Sequence, residues 1–228
     1  MNIGIALLFI VLIVGVYVVV RLLYKRYPKP LLVPIATSTF FIVCMLYFFK
    51  IPYEMFMQGG RWIDELLGPA VVALAIPLYQ HRKTLKKHIV SIFSSVFVGM
   101  IVGLGSGILL SLWFDVEEVI ILSLAPKSVT SPVAMDLSQL IEGIPALAAV
   151  YVMVAGISGA VLGPYLLKWF KIHHPVAVGV GYGSAAHGVG ISMALEIGEE
   201  QGAVSSIAMT LSAIFTSILC PFFIAFLL

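Results

Sequence analysis

The chain has 228 residues, 61% of them hydrophobic and 11% charged, with a net charge of +2 and a mean hydropathy of +1.11. A soluble domain carries about a quarter of its residues charged. Here too few polar side chains exist to cover a water-facing surface, which excludes one. Apolar runs recur along the whole length, and a run of about 20 residues crosses a bilayer as a helix. The sequence therefore reads as an all-α integral membrane protein with full-length helices and several broken or re-entrant segments.

The first apolar run, Ile3 to Val20, has no basic stretch before it and no small-residue cleavage site after it. It is read as a retained first helix and not as a signal peptide. Helix 1 is expected from Ile3 to Leu23 and helix 2 from Leu31 to Phe49, with a mixed-charge linker from Lys50 to Glu65. Residues 1–60 are taken as an N-terminal two-helix region and 61–228 as the core. Arg21, Lys25, Arg26 and Lys29 fall in one short loop, and Arg82, Lys83, Lys86 and Lys87 in another. The positive-inside rule puts both loops, 21–29 and 80–88, in the cytoplasm and the N-terminus outside. The linker and the acidic stretch Asp115 to Glu118 are then external.

From Leu66 onward, interrupted and unbroken apolar segments alternate. Leu66 to Tyr79 is interrupted, and Ile89 to Phe114 is long. Val119 to Ile141 is broken, and Ile144 to Phe170 is long. Val176 to Ile197 is broken, and Ala203 to Leu228 is long. Together with helices 1 and 2, this makes five full helices. An offset of 57 carries Pro69 to Pro126, Pro126 to Gly183, Gly99 to Gly156 and Pro164 to Pro221, as an internal repeat would. Two topologies fit. In one the broken segments cross the membrane. In the other they return as hairpins, which puts Lys171 to His174 on the cytoplasmic side and makes the last two broken-plus-long units inverted copies. The hairpin form obeys the charge rule better and follows a transporter plan.

The ionisable residues expected at membrane depth are Lys127, Asp136, His187 and Glu196. Each costs at least ~2.5–3.5 kcal/mol there and needs a reason. In Ala125-Pro-Lys-Ser-Val-Thr-Ser-Pro132, the prolines Pro126 and Pro132 disfavour helix before them. Thr130 or Ser131 can cap a half-helix starting at Pro132. The free N–H groups of such a helix start, with the Lys127 charge and the Ser128 hydroxyl, describe an anion site sized for a carboxylate. Pairing of Lys127 with Asp136, or snorkelling to an interface, is the structural alternative. The second break, Gly181-Tyr-Gly-Ser-Ala-Ala-His-Gly-Val-Gly190, sets Ser184 and His187 among the glycines 181, 183, 188 and 190. His187 can hydrogen-bond a substrate oxygen or carry a coupled proton. It can also be a packing residue. Asp136 and Glu196 are further coupling candidates. Leu66 to Tyr79, with Gly68, Pro69 and Pro77, is assigned packing. Cys44 and Cys220 read as small core residues, and no CxxC or HExxH metal spacing exists. No GxSxG and no Walker loop is present, so an enzyme is not expected. Nor is a cofactor or a nucleic-acid partner.

Leu67-Gly-Pro-Ala-Val-Val-Ala-Leu-Ala-Ile-Pro-Leu-Tyr79, Leu124-Ala-Pro-Lys-Ser-Val-Thr-Ser-Pro132 and His187-Gly-Val-Gly190 resemble the LrgB/CidB family of bacterial membrane proteins in order and spacing. The resemblance runs from about Gly60 to the C-terminus, and the first 60 residues fit by helix pattern only. It implies a multi-pass protein of the bacterial cell (inner) membrane. Some members are described as holin-like or antiholin-like regulators of murein hydrolase activity and autolysis, working with a small LrgA/CidA-type membrane protein. Others, a plastid relative among them, look like carriers of pyruvate, glycolate or glycerate. The matching motifs carry over Lys127, Ser128, Thr130, Ser131 and His187 as substrate-region candidates. The sequence reading is a carrier of a small organic anion. Its rivals are a holin-like pore built as a homo-oligomer and a subunit that acts only with the small partner.

Overall fold

The computed structural model describes the chain except residues 1–2, 28–31, 33, 67–68, 70–71, 73–74 and 81, with the backbone alone at 75, 77, 78 and 84. The described residues are helices joined by short turns, and the chain divides into two compact units, Met1–Ala75 and Ile76–Leu228.

The first unit holds α1 (Ile3–Arg26), α2 (Pro34–Phe48) and α3 (Tyr53–Glu65). α1 is apolar enough and long enough to cross a membrane, whereas α2, with 15 residues, is shorter. The basic residues Arg21, Lys25 and Arg26 lie on the last turns of α1, not in a loop. The expected linker is largely helix. In α3, the apolar Phe56 and Ile63 and the small Gly59 recur at helical spacing. Phe56 meets Phe9 of α1 edge-on at 5.6 Å. Gly59 lets α3 press against α1, since a Cβ there would lie 2.6 Å from the Ala6 carbonyl oxygen and 2.7 Å from Phe9 Cβ. The charged Glu54, Arg61, Asp64 and Glu65 occupy exposed positions.

A short helix, α4 (Ala75–Gln80), leads to the second unit. There follow α5 (Arg82–Trp113), α6 (Glu118–Leu124), α7 (Ser131–Leu140), α8 (Pro145–Trp169), α9 (Pro175–Ile197) and α10 (Glu199–Leu227). Leu85–Trp113, α8 and α10 are long and apolar enough to span. α5 begins at Arg82, so the second basic group occupies its first turns. The packing wall expected over 66–79, with Gly68 and Pro77, lies largely outside the described residues; Pro69 itself is exposed.

α5 and α10 run side by side in the same direction. Leu85, Ile92 and Val96 pack with Val176, Val180, Val204 and Ala208. Further along, Met100, Leu104 and Ile108 pack with Ile121, Ala125, Leu137 and Cys220. Between these clusters Phe215 takes Phe93 and Phe97 edge-on, at 4.8 and 5.4 Å.

Both broken segments double back. α6 enters, the chain turns through residues 125–130, and α7 returns. Ser123 Oγ accepts from the Ile144 N–H at 2.8 Å and donates to the Val119 carbonyl at 2.7 Å, tying the returning chain to the entering one. Gly143 sits so close that a Cβ would lie 2.9 Å from Ser123 N. In α9 the helix is split at His187, whose φ of 41° and ψ of −124° are not helical. Beyond it the chain folds back until Gly190 lies against the Tyr182 carbonyl. The start of α10 then runs beside the start of α9, with a Gly179 Cβ placed 2.7 Å from the Gln201 carbonyl oxygen.

Direction follows from one ring contact. His174, at the start of α9, meets His88, near the start of α5, with centroids 5.8 Å apart. The α8–α9 turn therefore shares an end with the start of α5, while the α6–α7 hairpin enters from the opposite end. The two hairpin-plus-helix units are inverted copies. The 57-residue offset carries the starts of α6, at 118, to α9, at 175, and their return ends, 140 to 197. It also carries Thr130 to His187, the residues at which each hairpin turns. The motif alignment pairs Pro126 with Gly183 as breaks; the turning points, Thr130 and His187, are four residues further on.

Candidate functional site

The two hairpin tips meet between α5, α8 and α10. Lys127 sits in the turn before α7 and donates from Nζ to the Gly103 carbonyl of α5 at 3.0 Å. Gly107, one helical turn on, leaves room for the ammonium, because a Cβ there would overlap Nζ. Cys220 of α10 is close enough for its thiol to interact with the Lys127 charge. No carboxylate pairs with Lys127 among the described residues. The expected partner Asp136 is exposed on α7, which removes the ion-pair alternative.

Ser128 is held by its backbone: its carbonyl accepts from Ser212 Oγ of α10 at 3.3 Å. Its own Oγ would lie 3.7 Å from a Cβ on Gly103. α7 begins at Ser131, one residue earlier than expected. Thr130 takes the cap position with extended backbone (φ −71°, ψ 151°), yet its side chain makes no cap hydrogen bond, and Pro132 falls within the first turn. The leading N–H groups of α7 are thus left without a side-chain cap.

His187 is 3% exposed, its Nε2 has no hydrogen-bond partner, and its ring is turned to the backbone of Lys127. Gly156 of α8 admits the ring, since a Cβ there would stand 3.0 Å from Cε1. Ser184 lies one turn before His187 and donates to the Val180 carbonyl at 2.6 Å. The structure thus gathers Lys127, Ser128, Thr130, Ser131 and His187 around the tips, with Ser184 beside them against Gly99.

The remaining candidates lie apart from the tips. Asp136 and Glu196 are exposed, with Glu196 beside the end of α9, and neither joins the site. The glycine-rich stretch acts through close approach. Gly183 presses on the Ser205 carbonyl and Gly190 on that of Tyr182, while Gly188 has nothing within 4 Å. The positive φ belongs to His187, and no glycine has one among the described residues. The sequence reading also missed one wall. Gly99, Gly103 and Gly107 recur every fourth residue, which puts them on one face of α5, where they meet Ser184, Ser128 and Lys127. That spacing was the available signal. Ser212, Thr216 and Cys220 form a matching face of α10.

An ammonium in such a place needs a counter-charge or several acceptors, since an isolated buried charge is costly. One carbonyl, the uncapped start of α7 and an unpartnered imidazole nitrogen leave the tips able to receive a small anion with more than one oxygen.

Spanning helices around two inverted hairpins define an all-helical, multi-pass membrane protein. The chain matches the LrgB-like family over residues 13–226, and it belongs to that family. The match takes in most of the N-terminal region, where the motifs alone had shown only a helix pattern. The chain is 44% identical to YxaC of Bacillus subtilis, an uncharacterized protein, over 95% of this chain and 94% of that one. It is 38% identical to YwbG of the same organism over the full length of both. It is 35% identical to the holin-like protein CidB of Staphylococcus aureus over 95% of this chain and 94% of that one. No solved structure matches the chain.

Proposed function

We propose that the protein is a carrier for a short monocarboxylate of the pyruvate, glycolate or glycerate type in the bacterial cell membrane. The N-terminus lies outside, and the basic groups near 21–29 and 80–88 lie in the cytoplasm. The observation that carries this reading is the Lys127 ammonium, set where two inverted hairpins meet, with one backbone carbonyl as its hydrogen-bond partner. The carboxylate lies on Lys127 and the N-terminal turn of α7, with Ser128, Thr130 and Ser131 around it. His187 takes a second oxygen or a coupled proton. Inverted units with broken elements meeting at mid-membrane allow alternating access by rocking one unit against the rest.

The second reading is a holin-like or antiholin-like role with a small LrgA/CidA-type partner, favoured by the kinship with a holin-like protein. Uptake of labelled pyruvate, glycolate and lactate into proteoliposomes of the purified chain separates the two. Saturable uptake that drops at least tenfold in Lys127→Ala supports the carrier. Absence of uptake in liposomes holding folded protein, also after adding the small partner, leaves the holin-like role.

A further inference from the structure

α10 carries a row of hydroxyls that differ in what they bond. Ser206 and Thr210 turn back on their own helix and donate to the Gly202 and Ser206 carbonyls, each at 2.9 Å. This back-bonding is the usual recourse of Ser and Thr within an apolar helix. Ser212 reaches across to the Ser128 carbonyl. Thr216 does neither: it is 1% exposed, and Oγ1 has no partner. A buried hydroxyl left unpaired is unfavourable, so it calls for an occupant. Thr216 lies one turn past Ser212, which holds Ser128, and one turn before Cys220, which adjoins Lys127. Residues four apart share a helix face, so Thr216 faces the Lys127–Ser128 tip. His187 Nε2 is the second unpaired buried atom beside that tip, and it comes from a different helix.

We propose that Thr216 determines specificity in the carboxylate site: its hydroxyl hydrogen-bonds the oxygen on carbon 2 of a short 2-oxo or 2-hydroxy acid whose carboxylate lies on Lys127. The inference rests on the carrier reading and adds a residue to it. A hydroxyl both donates and accepts, so it serves a keto oxygen and an alcohol alike. An acid without that oxygen leaves Thr216 unpaired and binds about three- to tenfold more weakly, the worth of one hydrogen bond.

The test is competition against labelled pyruvate uptake in proteoliposomes by lactate and by propionate, which differ only in the oxygen on carbon 2. The wild-type chain should be inhibited by lactate at about three- to tenfold lower concentration than by propionate. Thr216→Val, of equal shape, should bring that ratio to about one, and Thr216→Ser should restore it. Thr216→Ala reports the same ratio if the valine protein does not fold. A wild-type ratio in a folded Val or Ala variant overturns the role of Thr216 and leaves the carrier standing. A folded wild-type chain that takes up none of the acids overturns both.

Discussion

Replacing Gly107 by alanine moves the Lys127 ammonium without removing its charge. The new Cβ would overlap Nζ and lie 3.5 Å from Cε. Because the collision is with the end of a flexible side chain, the lysine swings aside and α5 stays in place. What is lost is the bond from Nζ to the Gly103 carbonyl. A hydrogen bond with a charged partner is worth about 1.5–3 kcal/mol. Alanine in a helix interior returns about 1 kcal/mol relative to glycine, so the net loss is about 0.5–2 kcal/mol. Gly105 supplies the control on the same helix. A Cβ there meets only Phe223 Cε1, at an ordinary 3.8 Å. Gly105→Ala should therefore gain the propensity term alone. Unfolding of the purified variants in detergent should place Gly107→Ala about 1.5–3 kcal/mol below Gly105→Ala. In proteoliposomes, Gly107→Ala should raise the half-saturating substrate concentration about tenfold, equivalent to about 1.4 kcal/mol of misplaced charge. Gly105→Ala should leave it unchanged. Coincident unfolding curves and equal uptake for the two variants would refute the contact between Lys127 and α5, and the site built on it.

Two more expectations concern the hairpins. With Cys44 and Cys220 replaced, single cysteines at Lys83 and Lys171 should react with a membrane-impermeant thiol reagent from the same face, and one at Glu142 from the other. Reaction of 83 and 171 from opposite faces would sink the hairpin topology. His187 holds a φ of 41°, which costs a side-chain-bearing residue about 1–3 kcal/mol and glycine little. His187→Gly should thus unfold at higher denaturant than His187→Ala, although both lose uptake; the reverse order would remove the strain assigned to this turn.

Some of this was legible along the chain. Four of the five expected full helices could be read because bilayer thickness sets a length and an apolar composition that each meets alone, whereas α2 is shorter. The turn near Lys127 could be read because Pro126 and Pro132 act on their own neighbours. The 57-residue repeat was visible in its small residues. α3 was missed because its charges suggested a loop, although Phe56, Gly59 and Ile63 keep a helical spacing. The turn at His187 was drawn to the glycines around it. No local rule puts positive φ on a histidine when glycine stands next to it. The return is imposed by contact, with Gly183 seated on the Ser205 carbonyl and Gly190 on that of Tyr182.

The sequence by itself determined that the protein lives in a membrane, where prolines and glycines interrupt its apolar segments, and which few polar residues those segments carry. Those properties follow from solvation and backbone preference, which each segment carries within itself. The tertiary structure decided which of those residues meet. It brought Lys127 to a carbonyl 24 residues away and turned the His187 ring to the Lys127 backbone, while leaving Asp136 and Glu196 exposed. An ammonium in an apolar bundle takes its character from the groups around it, and those groups come from α5, α9 and α10.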